Sequence, residues 1–298
     1  MADLDGIKVE KNYYLDAPFA AGGDFHVKGA ANLDWGMKKR LTNIFNPLSG
    51  NTVMFAFDHG YFMGSVSGLE RLDLLIPRLI DHVDVLMATR GALRTCVRPG
   101  FRKGIALRVS AGSSMLNDDL SREIVSVDIE EALRMDADCL AAQVFIGAEG
   151  QLESIANLSK VINAGSRYSI PTLGVVAVGK NMERTDQYFK LATRIIAEIG
   201  ATIIKTYYCD KFEEIVAACP VPIVVAGGKK LPEKEALEMA YRSMQGGARG
   251  LDMGRNIFQS LHPEAMAGAI GKIVHEKFTG KEAWEYYCDK AEITEKNS

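Results

Sequence analysis

"RTDQYFKLATRIIAEIGATIIKTYY", residues 184–208, holds both halves of a repeating pattern. Through residue 200 the apolar side chains recur every three or four positions, the period of one helix face. From 201 onward, "ATIIKTYY" is short, β-branched and nearly continuous in its apolar residues, as in a strand buried on both faces.

The same alternation extends outward in both directions from residue 52 onward. Strand candidates before it are "TVMFAFD" (52–58), "VDVLMAT" (83–89), "KGIALRVS" (103–110), "DCLAAQVFIG" (138–147) and "PTLGVVAV" (171–178). After it come "VPIVVAGG" (221–228) and "RGLDMG" (249–254), with helical-period segments between the strands. Eight strand–helix units with apolar strands predict a parallel sheet covered on both faces, closed most economically as a (β/α)8 TIM barrel. A doubly wound open sheet is the runner-up, but no GxGxxG follows the first strand. No composition break divides the chain. The expected organisation is an N-terminal extension over 1–45 (a cap, arm or subunit contact), the barrel over 46–285, and a loosely ordered polar tail over 286–298.

A net charge of -3 over 298 residues gives no global attraction for nucleic acid or an anionic membrane, so neither is expected as a partner. No apolar run approaches the ~20 residues of a bilayer span, and the acidic, polar start does not read as a secretory signal. Five scattered cysteines without CxxC pairing fit free thiols in a reducing cytoplasm. The five histidines show no HExxH or carboxylate–histidine spacing, so no metal site is expected. There is no P-loop and no GxSxG.

Active sites of such barrels lie at the C-terminal strand ends. Read there, strand 1 supplies Asp58 and His59, strand 2 Arg90, strand 3 Arg108 and strand 4 Gln143. Strand 6 supplies Lys205, strand 7 Gly227, Gly228 and Lys229, and strand 8 Gly254 and Arg255. Cationic groups thus gather at one rim of a slightly acidic protein, as an anionic substrate requires, although any one of them could simply begin a solvated loop. Glycines where the chain leaves strands 7 and 8 allow main-chain N–H groups to approach an oxyanion, and those loops are a frequent phosphate site of this barrel class.

An ammonium group is costly inside an apolar strand. On the strand-6 alternation Ile203, Lys205 and Tyr207 share one face, and Ile204 and Thr206 the other. If the lysine face points inward, its amine can attack a carbonyl to give an imine, an electron sink for cleaving the adjacent carbon–carbon bond. The alternative is a lysine that reaches the rim or pairs with Asp58. Asp58, on the alternation of Met54 and Ala56, is a proton donor or acceptor candidate, and His59 a candidate for acid–base work or for anchoring the loop.

With "FDHG" on strand 1, "IIKTYY" on strand 6, "AGGKK" on strand 7 and "DMGRNIFQ" on strand 8, the chain resembles the archaeal-type class I aldolases. Deoxyribose-phosphate aldolase and aminodeoxyheptulosonate synthase belong to the same superfamily of (β/α)8 barrels with a Schiff-base lysine on strand 6. The resemblance implies Lys205 as imine former, Asp58 as its polar partner, and Gly227, Gly228, Gly254 and Arg255 as phosphate contacts. One departure matters: fructose-bisphosphate members carry a tyrosine on strand 5 and a lysine on strand 4. Here those strands read "LGVVAVGKNM" and "AAQVFIG", which argues against ordinary fructose-bisphosphate cleavage.

A fuller resemblance runs through "LDWGMKKRL", "FDHGYFMG", "DVLMATRGALR", "AAQVFIG", "RTDQYFKLATRI" and "IIKTYY". It is to the members of this superfamily that process autoinducer-2 as thiolases. That resemblance implies acetyl transfer from a phosphorylated diketone to coenzyme A, leaving dihydroxyacetone phosphate. It implies no bound cofactor, with coenzyme A as co-substrate, and a cytoplasmic homo-oligomer, a decamer of two stacked rings. An aldolase for another phosphorylated sugar, and a catalytically silent phosphosugar-binding barrel, are the alternatives. For coenzyme A only Arg94, Arg98, Arg102 and Lys103, after strand 2, offer a weak candidate site.

Overall fold

The computed structural model describes residues 25–179 and 183–292. Its strands are β1 (Thr52–Ala56), β2 (Val85–Thr89), β3 (Gly104–Arg108), β4 (Ser110–Gly112), β5 (Glu123–Val125), β6 (Cys139–Val144), β7 (Thr172–Val176), β8 (Ile203–Tyr207), β9 (Ile223–Ala226) and β10 (Gly250–Met253). Eight of them close into a parallel barrel in the order β1-β10-β9-β8-β7-β6-β3-β2. The expected barrel is therefore the observed one. β4 and β5 pair antiparallel as a hairpin inserted between the third and fourth barrel strands, an element the apolar periodicity did not signal. Three-residue strands in a polar stretch carry too little pattern.

Twelve α-helices punctuate the described chain. They are α1 (Trp35–Ile44), α2 (Gly60–Met63), α3 (Leu72–Leu79), α4 (Arg90–Cys96), α5 (Ile129–Arg134), α6 (Gln151–Arg167), α7 (Asp186–Ile199), α8 (Phe212–Ala218), α9 (Glu233–Gln245), α10 (Arg255–Phe258), α11 (Pro263–Glu276) and α12 (Gly280–Lys290). α7 shows how sequence makes the wall. Thr185 caps it by accepting from the Tyr188 N–H, Phe189, Ala192, Thr193 and Ile196 form its buried stripe, and Gly200 ends it at φ 113°.

Period-2 alternation divides the apolar residues into two cores. Val53, Phe55, Leu86, Leu107, Leu140, Ile204 and Val225 face outward under the helices. Met54, Ala56, Val85, Met87, Ala106, Ala141, Leu173, Val175, Ile203 and Val224 face inward. Leu41, Ile44 and Phe45, all fully buried at the end of α1, join the inner set and close the N-terminal end of the barrel. At the other terminus α12 runs through Lys290 with Tyr287 buried. The chain is thus helical past residue 285, where the polar tail was expected to begin, because Tyr287 gives this segment a core-facing side. Residues 1–24 of the N-terminal extension and 293–298 of the tail lie outside the described residues.

Candidate active site

The inner face changes character along the strands. Its apolar N-terminal layers give way to Asp58, Arg108, Gln143, Lys205 and Asp252 at the C-terminal level. Strand geometry dictates this, since Asp58 continues the alternation of Met54 and Ala56, and Lys205 that of Ile203. These polar groups form two ion pairs. Arg108 donates through Nε to Asp58 Oδ2 at 2.8 Å, and its second nitrogen is also 2.8 Å from that oxygen. Lys205 Nζ lies 2.9 Å from Asp252 Oδ2 and 3.3 Å from the thioether sulfur of Met87.

The two carboxylates are tuned apart. Burial pushes the Asp58 carboxyl up, but Arg108, His59 and Lys205 together outweigh it and hold the pKa below the usual range. At Asp252 burial wins over the attraction of Lys205, and the carboxyl is shifted upward. His59, 3.8 Å from Asp58, is lowered to about 4 by burial, reinforced by Lys205, Arg255 and Arg108 against the pull of Asp58. It is a neutral imidazole near pH 7, with its ring edge-on to Phe258 at 5.4 Å.

Above this layer opens a cavity of about 680 Å³, lined by Tyr61, Phe62, Glu123, Gln143, Arg184, Tyr207 and Lys229 among others. The Tyr61 hydroxyl, on α2, is 2.7 Å from Glu123 Oε1 and also contacts Gln143 Oε1. Ser110 donates to the other Glu123 oxygen at 2.5 Å, and the Gln143 N–H donates to Ser110 Oγ at 3.1 Å. The guanidinium of Arg108 lies 5.1 Å from the Tyr61 ring centroid.

On the opposite side, the chain leaves β9 through Gly227 and Gly228, the latter at φ 68°. A side chain on Gly254 would lie 2.5 Å from both the Ala56 carbonyl oxygen and His59 Cε1, so only glycine lets the turn after β10 sit there. Asn256 ties the two turns together, donating to the Gly227 carbonyl at 2.7 Å and accepting from the Leu231 N–H at 2.8 Å. Arg255 is half-buried with its Nε unpartnered. Arg184 stacks on Tyr207, with its guanidinium carbon 4.2 Å from the ring centroid.

The structure thus brings Lys205, Asp58, His59, Arg108 and Gln143 together, with Gly227, Gly228, Lys229, Gly254 and Arg255 along one edge. Arg90 is exposed at the start of α4 and does not line the cavity. Arg108 pairs with Asp58 through Nε and Nη2, and its Nη1 is buried without a partner among the described residues. Lys205 pairs with Asp252 rather than with Asp58. Arg94, Arg98, Arg102 and Lys103 line a groove with Asn43, Asp84 and Gly104, at the N-terminal strand ends. A thiol carrier held there would face the plugged end of the barrel, away from Lys205. Sequence reasoning missed Asp252, Tyr61, Glu123 and Arg184. For Asp252 the signal was present: a carboxylate inside the apolar "GLDM" is the same anomaly as the lysine in "IIKTYY".

A buried lysine at the mouth of a parallel eight-stranded barrel, faced by two carboxylates of opposite tuning, defines a lysine-centred barrel of aldolase type. The pattern of the DeoC/LacD family aldolases matches residues 52–260, and the chain belongs to that family. An uncharacterized aldolase of Pasteurella multocida is 54% identical over 97% of this chain and 100% of its own length. The 3-hydroxy-5-phosphonooxypentane-2,4-dione thiolase of Escherichia coli O139:H28 is 53% identical over 97% of this chain and 99% of its own. An archaeal fructose 1,6-bisphosphate aldolase shares the fold, with a TM-score of 0.72 and 23% identity over 80% of this chain and 99% of that one.

Proposed function

We propose that the chain transfers the acetyl group of 3-hydroxy-5-phosphonooxypentane-2,4-dione to coenzyme A, giving acetyl-CoA and dihydroxyacetone phosphate. The observation that carries this reading is 53% identity over nearly the full length to relatives bearing that thiolase name. The site chemistry agrees. Gly227, Gly228, Gly254 and Arg255, with Arg184 and Lys229 beside them, suit a phosphate at one end of the substrate. Lys205, on the neighbouring strand, suits the ketone nearest that phosphate, either as an imine or as an ammonium that polarises the carbonyl. Retro-Claisen cleavage then leaves an electron pair that this carbonyl absorbs. Asp58 stays ionised and steadies the cation-rich layer, and neutral His59 is available as a hydrogen-bonding contact beside it.

A class I aldolase acting on another phosphorylated sugar is less well supported. The strand where fructose-bisphosphate members place their tyrosine is here Thr172, Leu173, Gly174, Val175 and Val176, all buried. Incubation with the phosphorylated diketone, with and without coenzyme A, separates the readings. Acetyl-CoA and dihydroxyacetone phosphate in equal amounts, only when coenzyme A is present, are expected. Cleavage that ignores coenzyme A would sink the thiolase reading. The reading extends to autoinducer-2 breakdown in the cytoplasm and to a homo-oligomeric, decameric state.

A further inference from the structure

The proposed reaction needs a proton donor for the carbon released as the acetyl group departs, and β7 offers none. The cavity holds one elsewhere. Gln143 and Lys205 stand level with each other, both in register with Val175 on the strand between them. Their Cα atoms are therefore about 10 Å apart along the wall, with side chains converging inward. The phosphate turns lie beyond Lys205 on β9 and β10, so a substrate anchored there and held at Lys205 extends its acetyl end toward β6 and β3. At that end the Tyr61 hydroxyl meets Glu123 and Gln143.

This cluster is organised around a proton. A phenol has one proton to donate but here touches two acceptor oxygens. Both contacts are satisfied only if the Gln143 amide is turned to donate to the phenol, or if Glu123 carries a proton. Glu123 is itself buried, yet its hydrogen-bonding partners at Oε1 and Oε2 are two hydroxyls, Tyr61 and Ser110, with no cation bonded to it. A carboxylate held by two hydroxyls is suited to receiving a proton and passing it back through one of them. Burial, with Glu123 and Asp58 adding to it against Arg108, raises the Tyr61 pKa, so the phenol remains a donor at neutral pH.

We propose that Tyr61, backed by Glu123, is the proton-transfer residue of the acyl transfer; this rests on the reading of the function given above. The thiol sulfur bonds to the acetyl carbonyl carbon and its proton goes to Glu123. The tetrahedral centre re-forms its C=O and breaks the bond to the hydroxyl-bearing carbon, whose electron pair delocalises toward the carbonyl at Lys205. Tyr61 protonates that carbon to give dihydroxyacetone phosphate and recovers its own proton from Glu123. One proton enters with the thiol and leaves on the product.

The test compares wild type with Tyr61→Phe and Glu123→Gln, using the phosphorylated diketone and coenzyme A in water and in deuterium oxide. Tyr61→Phe keeps the ring beside Arg108, and its melting curve checks the fold. A fall in kcat of at least ~100-fold is expected, with KM for the diketone within about threefold. Turnover by wild type is expected to be slower in deuterium oxide than in water, and this ratio is expected to change in Tyr61→Phe, where solvent must protonate the carbon. Glu123→Gln is expected to lower kcat by at least ~10-fold, with KM for the diketone again within about threefold. Retained kcat in Tyr61→Phe, or an unchanged solvent isotope ratio in its residual turnover, overturns the assignment. If wild type itself makes no acetyl-CoA, it is the function reading that fails.

Discussion

Two buried ion pairs stand within one barrel layer, and they are built for different ends. Arg108 brings two nitrogens to Asp58, is itself almost fully buried, and lowers that carboxyl's pKa. Lys205 offers three N–H donors but finds one carboxylate oxygen and a thioether, a weak acceptor. Its partner Asp252 is shifted toward neutrality by burial. The first pair fixes its charges through two nitrogens on one carboxylate, although Arg108 Nη1 is buried without a partner among the described residues. The second leaves the amine poorly held, as an amine must be if it is to engage a carbonyl.

The contrast breaks most visibly at Lys205. Lys205→Ala is expected to cut acetyl-CoA formation by at least ~10⁴-fold, with little loss of stability because Asp252 can take up a proton. Borohydride reduction with the diketone sharpens the point: a mass adduct on Lys205 indicates an imine, and recovery of the unmodified peptide indicates an ammonium role. Arg108→Met should act in the opposite currency. It strands an ionised Asp58, and urea unfolding should show a loss of about 3–5 kcal/mol.

The third expectation concerns pH. His59 protonates at about 4 in the folded protein, against an ordinary 6.5 when unfolded. Between those values the unfolded chain binds the extra proton, so stability falls as pH is lowered through that window, by roughly 3 kcal/mol in total. His59→Gln should flatten this acid limb in denaturant titrations run from pH 7 to 4. An unchanged slope would show that the imidazole is more accessible than the structure indicates. The smallest effect is expected at Asp252→Asn: a stability change of ~1 kcal/mol, since burial already disfavours the charge on that carboxyl, and a ten- to hundredfold fall in turnover from a misaimed amine. A stability loss as large as that of Arg108→Met would erase the distinction between the pairs.

Much of the barrel was legible because alternation is a local property. Ile203 and Lys205 on one face, and Met54, Ala56 and Asp58 on another, follow from counting by two. What alternation cannot give is who meets whom across the interior. Asp252 and Lys205 flank β9 on the strands either side of it, a relation fixed by register and inward facing that counting by two along one strand does not reveal, so Asp58 looked an equally good partner in one dimension. Tyr61 escaped notice because its significance depends on Glu123, carried by a hairpin too short and polar to signal itself. The arginines were legible as a group but not one by one. Arg108 turns inward to a carboxylate, Arg90 stays in solvent, and Arg255 keeps a buried, unpartnered nitrogen, differences that rest on which side of a strand end the chain turns.

The side chains that fill the barrel, from Met54 and Met87 down to Leu41, Ile44 and Phe45 of α1 and its cap, leave the site a single opening at the C-terminal strand ends. Under the proposed reaction two reactants and two products must share that opening, which imposes an order of traffic. The phosphorylated diketone, whose anchor and ketone contacts lie lower, enters first, and the bulkier thiol carrier closes over it. Acetyl-CoA then leaves before dihydroxyacetone phosphate can. Initial-rate plots should accordingly intersect, with coenzyme A in excess trapping the sugar phosphate behind it and slowing the cycle.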